Sequence, residues 1–326
     1  MRYLVVGAGA LGGYFGGRLL EAGRDVTFLL RPARAQALAR SGLVIRSRFG
    51  DATLASPPSV LKENLDTPFD VVVVACKAYD LAETMAAFAP AVGPQTAILP
   101  LLNGMAHFDA LGERFGAERV LGGLCMISAA LDAAGTVQHF NDFHALVFGE
   151  LDGSASARVA AIQADCAGAK FDARVSTEMR LELWEKWVFI AAAAAVTCLM
   201  RASIGDIVAA GAADLSERLL EECRRIAEAN GFAPRAAPIE RYRSILTAAG
   251  SPISASMLKD IERGAPVEAD HVIGDLLRRA PGSTSTSTST STSTSASAQS
   301  AAQAPSLLRV AYAHLKAYEA RRTAAA

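Results

Sequence analysis

Glycines near the amino terminus have the spacing of a dinucleotide-binding turn. In "RYLVVGAGALGGYFGG", Gly7, Gly9 and Gly12 match G-x-G-x-x-G between a predicted strand and a predicted helix. In that setting the first glycine permits a tight turn, the second lets a pyrophosphate approach the backbone, and the third lets helix and strand pack closely. The N–H groups at the start of the helix attract the phosphates. We predict cofactor contacts from Gly7, Gly9, Ala10, Leu11 and Gly12; the alternative is a packing turn with no ligand.

The residues after the second predicted strand favour NADP over NAD. NAD-binding proteins usually place an acidic side chain there for the ribose 2′-hydroxyl. The segment "FLLRPAR" has none, and its Arg31 and Arg34 have the charge and fork geometry to bind a 2′-phosphate, with Arg31 also able to stack on the adenine. The sequence therefore predicts NADP as cofactor and Arg31 as one of its ligands. The alternative is a pair of solvated surface arginines.

Two further polar residues follow apolar runs. Lys77 ends "VVVVACK" and Asn103 ends "LPLLN". Ligands bind at the carboxyl ends of the strands in open parallel sheets, so we predict that both residues contact the cofactor. A solvated lysine is the alternative for Lys77.

The elements that position these residues alternate between strand and helix in the first half of the chain. Strands are predicted at residues 2–7, 25–30, 70–76 and 96–104, with a helix at 11–21. This alternation predicts an α/β fold with a Rossmann-type, doubly wound parallel sheet. Long helical patterns dominate afterwards. We expect an NADP-binding domain over residues 1–172 and an all-helical substrate domain over residues 173–326.

Composition narrows the function and the compartment. The net charge of −1 argues against nucleic-acid binding, and the five cysteines form no CxxC pair or metal-ligand spacing. Reduced thiols indicate a cytoplasmic protein. The uncharged run at 187–200 is too short to span a membrane, so no membrane partner is expected. The apolar helical half is compatible with a homodimer. A Ser/Thr repeat at 283–295 predicts a flexible insertion over about residues 282–303.

Several motifs in order give the chain a family resemblance. The glycine turn, "CKAYD" and "LLNG" are followed by "LWEKWVF" and "SMLKDIERGAPVEAD". With these motifs the chain resembles the ketopantoate reductase (2-dehydropantoate 2-reductase) family over nearly its whole length. The resemblance implies a Rossmann domain, a helical domain and an active site in the cleft between them. It also implies NADPH-dependent reduction of the 2-oxo group of ketopantoate to pantoate, on the route to pantothenate.

The resemblance also implies roles for residues of the second half. Lys186 of "LWEKW" corresponds to the general acid, Glu268 of "VEAD" to an active-site hydrogen-bonding group, and Ser256 to a substrate-binding residue. Asn103 would contact both cofactor and substrate. The chemistry agrees, because hydride delivery to a 2-oxo carbon builds negative charge on its oxygen, which an ammonium stabilises and protonates. The alternative for Lys186 is an ion pair with Glu182 or a solvated helix face.

The long helix departs from the family pattern. Three positions that carry substrate-binding asparagines in typical members read Ile190, Ala194 and Ile204 here. Each lost hydrogen bond costs about 0.5–1.5 kcal/mol. This favours a second hypothesis, a related dehydrogenase for a more apolar 2-oxo or 2-hydroxy acid. A third, of another class, is a non-catalytic NADPH-binding sensor.

Overall fold

The computed structural model describes residues 1–282 and 306–324. The predicted flexible insertion lies outside the described residues, apart from its first residue, Gly282. The chain divides into two compact units, Met1–Leu183 and Trp184–Ala326. The division falls inside a long helix, and the domain boundary expected at residue 172 stays a prediction.

The strands belong to the first unit. Their bounds are β1 Arg2–Val6, β2 Asp25–Leu29, β3 Leu43–Arg46, β4 Ala52–Leu54, β5 Ser59–Val60, β6 Val71–Val74, β7 Ala97–Pro100, β8 Leu121–Met126, β9 Ala129–Leu131, β10 Val137–His139, β11 Ala145–Glu150 and β12 Asp172–Val175.

Helices connect these strands and make up the described part of the second unit. Their bounds are α1 Ala10–Glu21, α2 Pro32–Ser41, α3 Leu81–Phe88, α4 Ala106–Phe115, α5 Ala157–Cys166, α6 Met179–Met200, α7 Ile204–Ala209, α8 Ala213–Ala229, α9 Ala236–Leu246, α10 Ser256–Glu262, α11 Asp275–Arg278 and α12 Leu307–Ala324, with a π-helical turn at Asp270–Gly274.

A parallel sheet with strand order β5-β2-β1-β6-β7 forms the centre of the first unit. In register, Leu4 of β1 lies between Thr27 of β2 and Val72 of β6. The run Val71–Val74 is completely buried, as expected for a strand covered on both faces. The predicted α/β fold, a parallel sheet followed by a helical region, is confirmed.

Two smaller sheets in the first unit were not predicted. Their strand orders are β4-β3-β10-β9 and β12-β11-β8, and both mix parallel and antiparallel pairs. The strands β4, β9 and β10 have three residues each, which is too short for an alternating pattern to be recognised. They matter for the site because the β9–β10 turn contacts α2 through Arg34.

The helix α6 is long and apolar enough to cross a membrane by length and composition alone. However, 72% of its apolar window is buried inside the protein, as in the core helix of a globular domain. In the second unit Trp184 and Trp187 are almost completely buried, and the Trp187 indole donates to the Val272 carbonyl at 2.8 Å.

Candidate cofactor site and active-site residues

The turn between β1 and α1 requires glycine at two of the motif positions. Gly7 has φ +92°, a left-handed conformation that side chains disfavour, and its N–H donates to Leu29 O at 3.0 Å. At Gly12 a methyl group would overlap the carbonyl oxygen of Gly7 and lie 3.1 Å from the Ala75 side chain. These two glycines therefore hold the helix, the turn and the end of β6 close together.

Gly9 differs from its neighbours because a methyl group there would meet no atom within 4 Å. Its φ of −79° suits any residue, and it stands at the N-cap of α1, where no side chain caps the first N–H groups. An uncapped helix start facing open space can bind an anion such as a pyrophosphate. The turn thus fits the group that the sequence predicts for it.

A cavity of about 470 Å³ opens where β1, β2 and β6 end. This volume lies in the range of small-molecule sites. The cavity brings together Gly7, Gly9, Arg31 and Lys77 of the predicted cofactor residues. Its apolar wall comes from side chains at the end of β2, just after that strand and on α3, including Leu29, Leu30, Pro32 and Ala87.

The other predicted cofactor residues do not line this cavity. Ala10, Leu11 and Gly12 continue into α1, and the half-buried Asn103 follows β7. Lys77, which does line the cavity, comes three residues after β6 and is the N-cap of a short 3₁₀ turn, Ala78–Asp80. The cofactor contacts of all these residues stay predictions.

Arg31 lies at the cavity with two acidic partners. Its Nη2 donates to Glu83 Oε2 at 3.0 Å and lies 3.3 Å from Asp80 Oδ1. Asp80 and Glu83 together raise the pKa of Arg31, Asp80 contributing the larger effect. Acidic groups therefore do reach the end of β2, although none follows it in the sequence.

Arg34 has structural contacts that the sequence analysis did not predict. Its Nε donates to Ala8 O at 3.0 Å and its Nη2 to Gly135 O at 3.1 Å. Burial lowers the pKa of this guanidinium. Arg34 thus links the glycine turn to the β9–β10 turn, while it also lines the cavity beside Arg31, and its contact with a 2′-phosphate stays a prediction.

Besides Asp80 and Glu83, the sequence analysis missed other cavity residues, among them Lys62, Glu63 and Cys76. Lys62 and Glu63 lie on a 3₁₀ turn after β5, a two-residue strand too short to recognise. Cys76 follows β6 and is the only partly exposed thiol, since the other four cysteines are buried. The apolar run before Cys76 could have indicated that this cysteine also lies at the end of a strand, but the sequence analysis predicted a site residue only at Lys77.

On α6, Lys186 shares a face with Ile190 and Ala194 because the three are four residues apart. Lys186 and Ile190 are half-buried, and Ala194 is buried. The Glu182 carboxylate, the alternative partner considered for Lys186, accepts hydrogen bonds from Arg174 and Ser176.

The neighbour of Lys186 is a buried carboxylate with a structural partner. Glu185 is 4% exposed, and its carboxylate accepts two hydrogen bonds from the Arg235 guanidinium, from Nε at 2.8 Å and from Nη2 at 2.6 Å. It also accepts a hydrogen bond from the Arg235 backbone N–H at 2.9 Å. Ile204 is the first residue of α7 and is completely buried. It therefore belongs to the core of the second unit and not to an accessible face.

The remaining predicted residues lie on later helices. Ser256 is exposed at the start of α10. Glu268 is half-buried just before the π-helical turn Asp270–Gly274, and its carbonyl accepts from Val272 N at 2.9 Å. Such π-helical turns occur often at functional sites. No group of three His, Cys, Asp or Glu side chains that could hold a metal occurs within the described residues.

Comparison with known proteins shows which family this chain resembles. A family model described as "Ketopantoate reductase PanE/ApbA" matches residues 3–153, and its C-terminal counterpart matches residues 178–287. The chain is 35% identical to "Uncharacterized oxidoreductase YkpB" of Bacillus subtilis, over 98% of this chain and 99% of that protein.

Relatives with an assigned reaction are more distant. A 2-dehydropantoate 2-reductase of Mesorhizobium japonicum is 28% identical over 84% of this chain and 89% of its own length. The crystal structure of 2-dehydropantoate 2-reductase from Geobacter metallireducens is similar with a TM-score of 0.83 at 26% identity, covering 97% of this chain and 99% of that one. The resemblance inferred from the motifs is confirmed: this chain belongs to the ketopantoate reductase (PanE/ApbA) family and is an NAD(P)-dependent oxidoreductase that acts on CH–OH groups.

Proposed function

We propose that this chain uses NADPH to reduce the 2-oxo group of 2-dehydropantoate, giving pantoate for pantothenate biosynthesis in the cytoplasm. The observation that carries the proposal is the cavity where β1, β2 and β6 end, with an uncapped glycine turn on one side and Arg31 on another. A dinucleotide needs both features, one for its pyrophosphate and one for the substituent on its adenosine ribose.

The preference for NADPH depends on Arg31. Its exposed guanidinium follows β2 directly, where a 2′-phosphate would meet it. Lys77, Lys62 and Arg34 add further positive charges at the same cavity. When bound, the nicotinamide ring supplies the hydride; the chain's own residues bind the nucleotide and manage the proton.

The proton is assigned to Lys186, with Glu268, Ser256 and Asn103 as hydrogen-bonding groups for the substrate. These roles are carried over from the family resemblance, and the half-buried position of Lys186 on α6 supports them. The ammonium would stabilise the developing alkoxide and donate a proton to it. Several relatives at 27–29% identity that are named 2-dehydropantoate 2-reductase favour this substrate.

A second candidate substrate is a more apolar 2-oxo acid. Ile190 and Ala194 share the face of α6 that carries Lys186, so this face offers methyl groups where amides would bind a hydroxyl group. The relative that is 35% identical carries no named substrate. The third alternative, a non-catalytic NADPH sensor, is disfavoured because the chain belongs to an oxidoreductase family and because a sensor needs no proton donor such as Lys186. A homodimer stays a prediction from the sequence.

The experiment offers the purified protein 2-dehydropantoate and a panel of 2-oxo acids with apolar side chains, each with NADPH and with NADH. Nucleotide oxidation with a micromolar KM for 2-dehydropantoate supports the first candidate. Preferred turnover of a branched or aromatic acid supports the second. Nucleotide binding without turnover of any acid would contradict both and favour the sensor.

A further inference from the structure

The arginine that the proposed cofactor needs is already engaged by carboxylates. Both Glu83 and Asp80 approach the same atom of Arg31, Nη2, at 3.0 and 3.3 Å. Both bidentate edges of a guanidinium, Nε with Nη2 and Nη1 with Nη2, include Nη2. A phosphate can therefore form a two-point contact with Arg31 only by replacing at least one of these carboxylates.

The two carboxylates differ in how easily they can withdraw. Glu83 is 69% exposed and projects from the first turn of α3, whereas Asp80 is 30% exposed and ends the 3₁₀ turn before that helix. An exposed ion pair is worth little, so Glu83 can move away at small cost. Asp80 is more restricted and stays near the ligand.

The same carboxylates suit the other nicotinamide cofactor. A ribose 2′-hydroxyl donates well to an acidic side chain, which is the usual arrangement in NAD-binding sheets. An acid at this place also repels a 2′-phosphate. The cavity thus contains a guanidinium suited to NADPH and two carboxylates suited to NADH, and these groups pair with each other.

We propose that Glu83 and Asp80 determine the discrimination between NADPH and NADH, by competing with the 2′-phosphate for Nη2 of Arg31. This inference rests on the proposed function in that a nicotinamide dinucleotide occupies the cavity. Glu83 is the position at which the preference can be shifted without disturbing the fold, because its side chain is exposed and its carboxylate forms its ion pair and hydrogen bond with Arg31.

The test measures the Kd of NADPH and of NADH by nucleotide fluorescence for the wild type and for Glu83→Gln at one fixed salt concentration. We expect Glu83→Gln to bind NADPH about two- to fivefold more tightly, the range that corresponds to one exposed ion pair. Binding of NADH should be unchanged or weaker. Arg31→Ala should weaken NADPH binding about tenfold or more, and Glu83→Gln should have no further effect in that background.

The matched control is Glu63→Gln. Glu63 lines the same cavity and is similarly exposed, but its ion-pair partner is Lys62. An equal gain in NADPH affinity from Glu63→Gln would show a general charge effect and would overturn the competition at Arg31. An unchanged NADPH affinity in Glu83→Gln would overturn it as well.

A second readout separates this inference from the proposed function. Because Cys76 is the partly exposed thiol at the cavity, bound nucleotide should slow its alkylation. If neither nucleotide protects Cys76 or binds by fluorescence, the proposed cofactor site is wrong. If NADPH protects and Arg31→Ala abolishes protection while Glu83→Gln changes nothing, only the competition is wrong.

Discussion

The candidate cofactor site of the first unit depends on backbone shape, whereas the candidate catalytic residues of the second unit depend on single side chains. The turn at Gly7–Gly12 is defined by a left-handed φ, a close approach and an open N-cap. On α6, by contrast, a half-buried Lys186 follows a buried Glu185 with nothing in the backbone to distinguish them. Backbone requirements leave a pattern in any one sequence, but the role of a lysine becomes visible only through its family.

The largest effect on activity should come from replacing Lys186, whose role the local backbone does not define. Lys186→Ala removes the proposed general acid, so we expect kcat to fall by roughly 10²–10⁴-fold with little change in the free energy of unfolding. Lys186→Arg keeps the charge but donates a proton poorly, and it should recover little of the rate. Steady-state kinetics and thermal unfolding measure the two effects. Near-normal kcat in Lys186→Ala would remove the proton-donor assignment.

Two substitutions inside the glycine turn should separate shape from ligand binding. Gly12→Ala forces a methyl group into the Gly7 carbonyl, so we expect the free energy of unfolding to fall by about 3 kcal/mol. Gly9→Ala meets open space and should change stability by less than about 0.5 kcal/mol. Denaturant unfolding measures both changes.

Nucleotide binding should respond to the Gly9 substitution, although protein stability does not. Gly9→Ala should weaken NADPH binding roughly tenfold or more, because its methyl group enters the space where a charged hydrogen-bond acceptor would lie. A Gly9→Ala protein that binds NADPH normally would mean that the pyrophosphate lies elsewhere.

In the second unit, Glu185→Ala is the structural counterpart of Lys186→Ala. It leaves Arg235 without its carboxylate partner, and we expect the free energy of unfolding to fall by about 2 kcal/mol. The loss is modest because Arg235 is itself half-exposed. The KM for nucleotide should be unchanged. A stable Glu185→Ala protein with a large loss of kcat would mean that the catalytic carboxyl group had been misassigned.

A smaller effect concerns pH in the first unit. Burial lowers the pKa of His144 below its ordinary value, and His139 and Arg18 act in the same direction against Asp172. The unfolded chain therefore takes up this proton more readily, so stability is complete above about pH 6.5 and declines as the pH falls toward the folded pKa. Urea unfolding should show this slope, and His144→Gln should flatten it. If the pH dependence of stability is unchanged in His144→Gln, other titrating groups cause it.

Much of the first unit could be predicted from the sequence, because long apolar strands and a glycine turn carry strong patterns. The acidic partners of Arg31 could not, since Asp80 and Glu83 follow β6 and meet β2 only through the strand order of the sheet. The bracing role of Arg34 was hidden for the same reason, because its acceptors lie on distant turns. In the second unit the sequence predicted helices, but the burial of Ile204 needed the structure.

The proposed reaction is the transfer of a hydride from NADPH to the 2-oxo carbon of the substrate. It is tested most directly with NADPH deuterated at C4 of the nicotinamide, each face in turn, and 2-dehydropantoate as the acceptor. We predict that one of the two labelled nucleotides gives pantoate with deuterium at C2, as seen by mass spectrometry. Pantoate without deuterium from either nucleotide, or no reduced product although NADPH binds, would contradict the account.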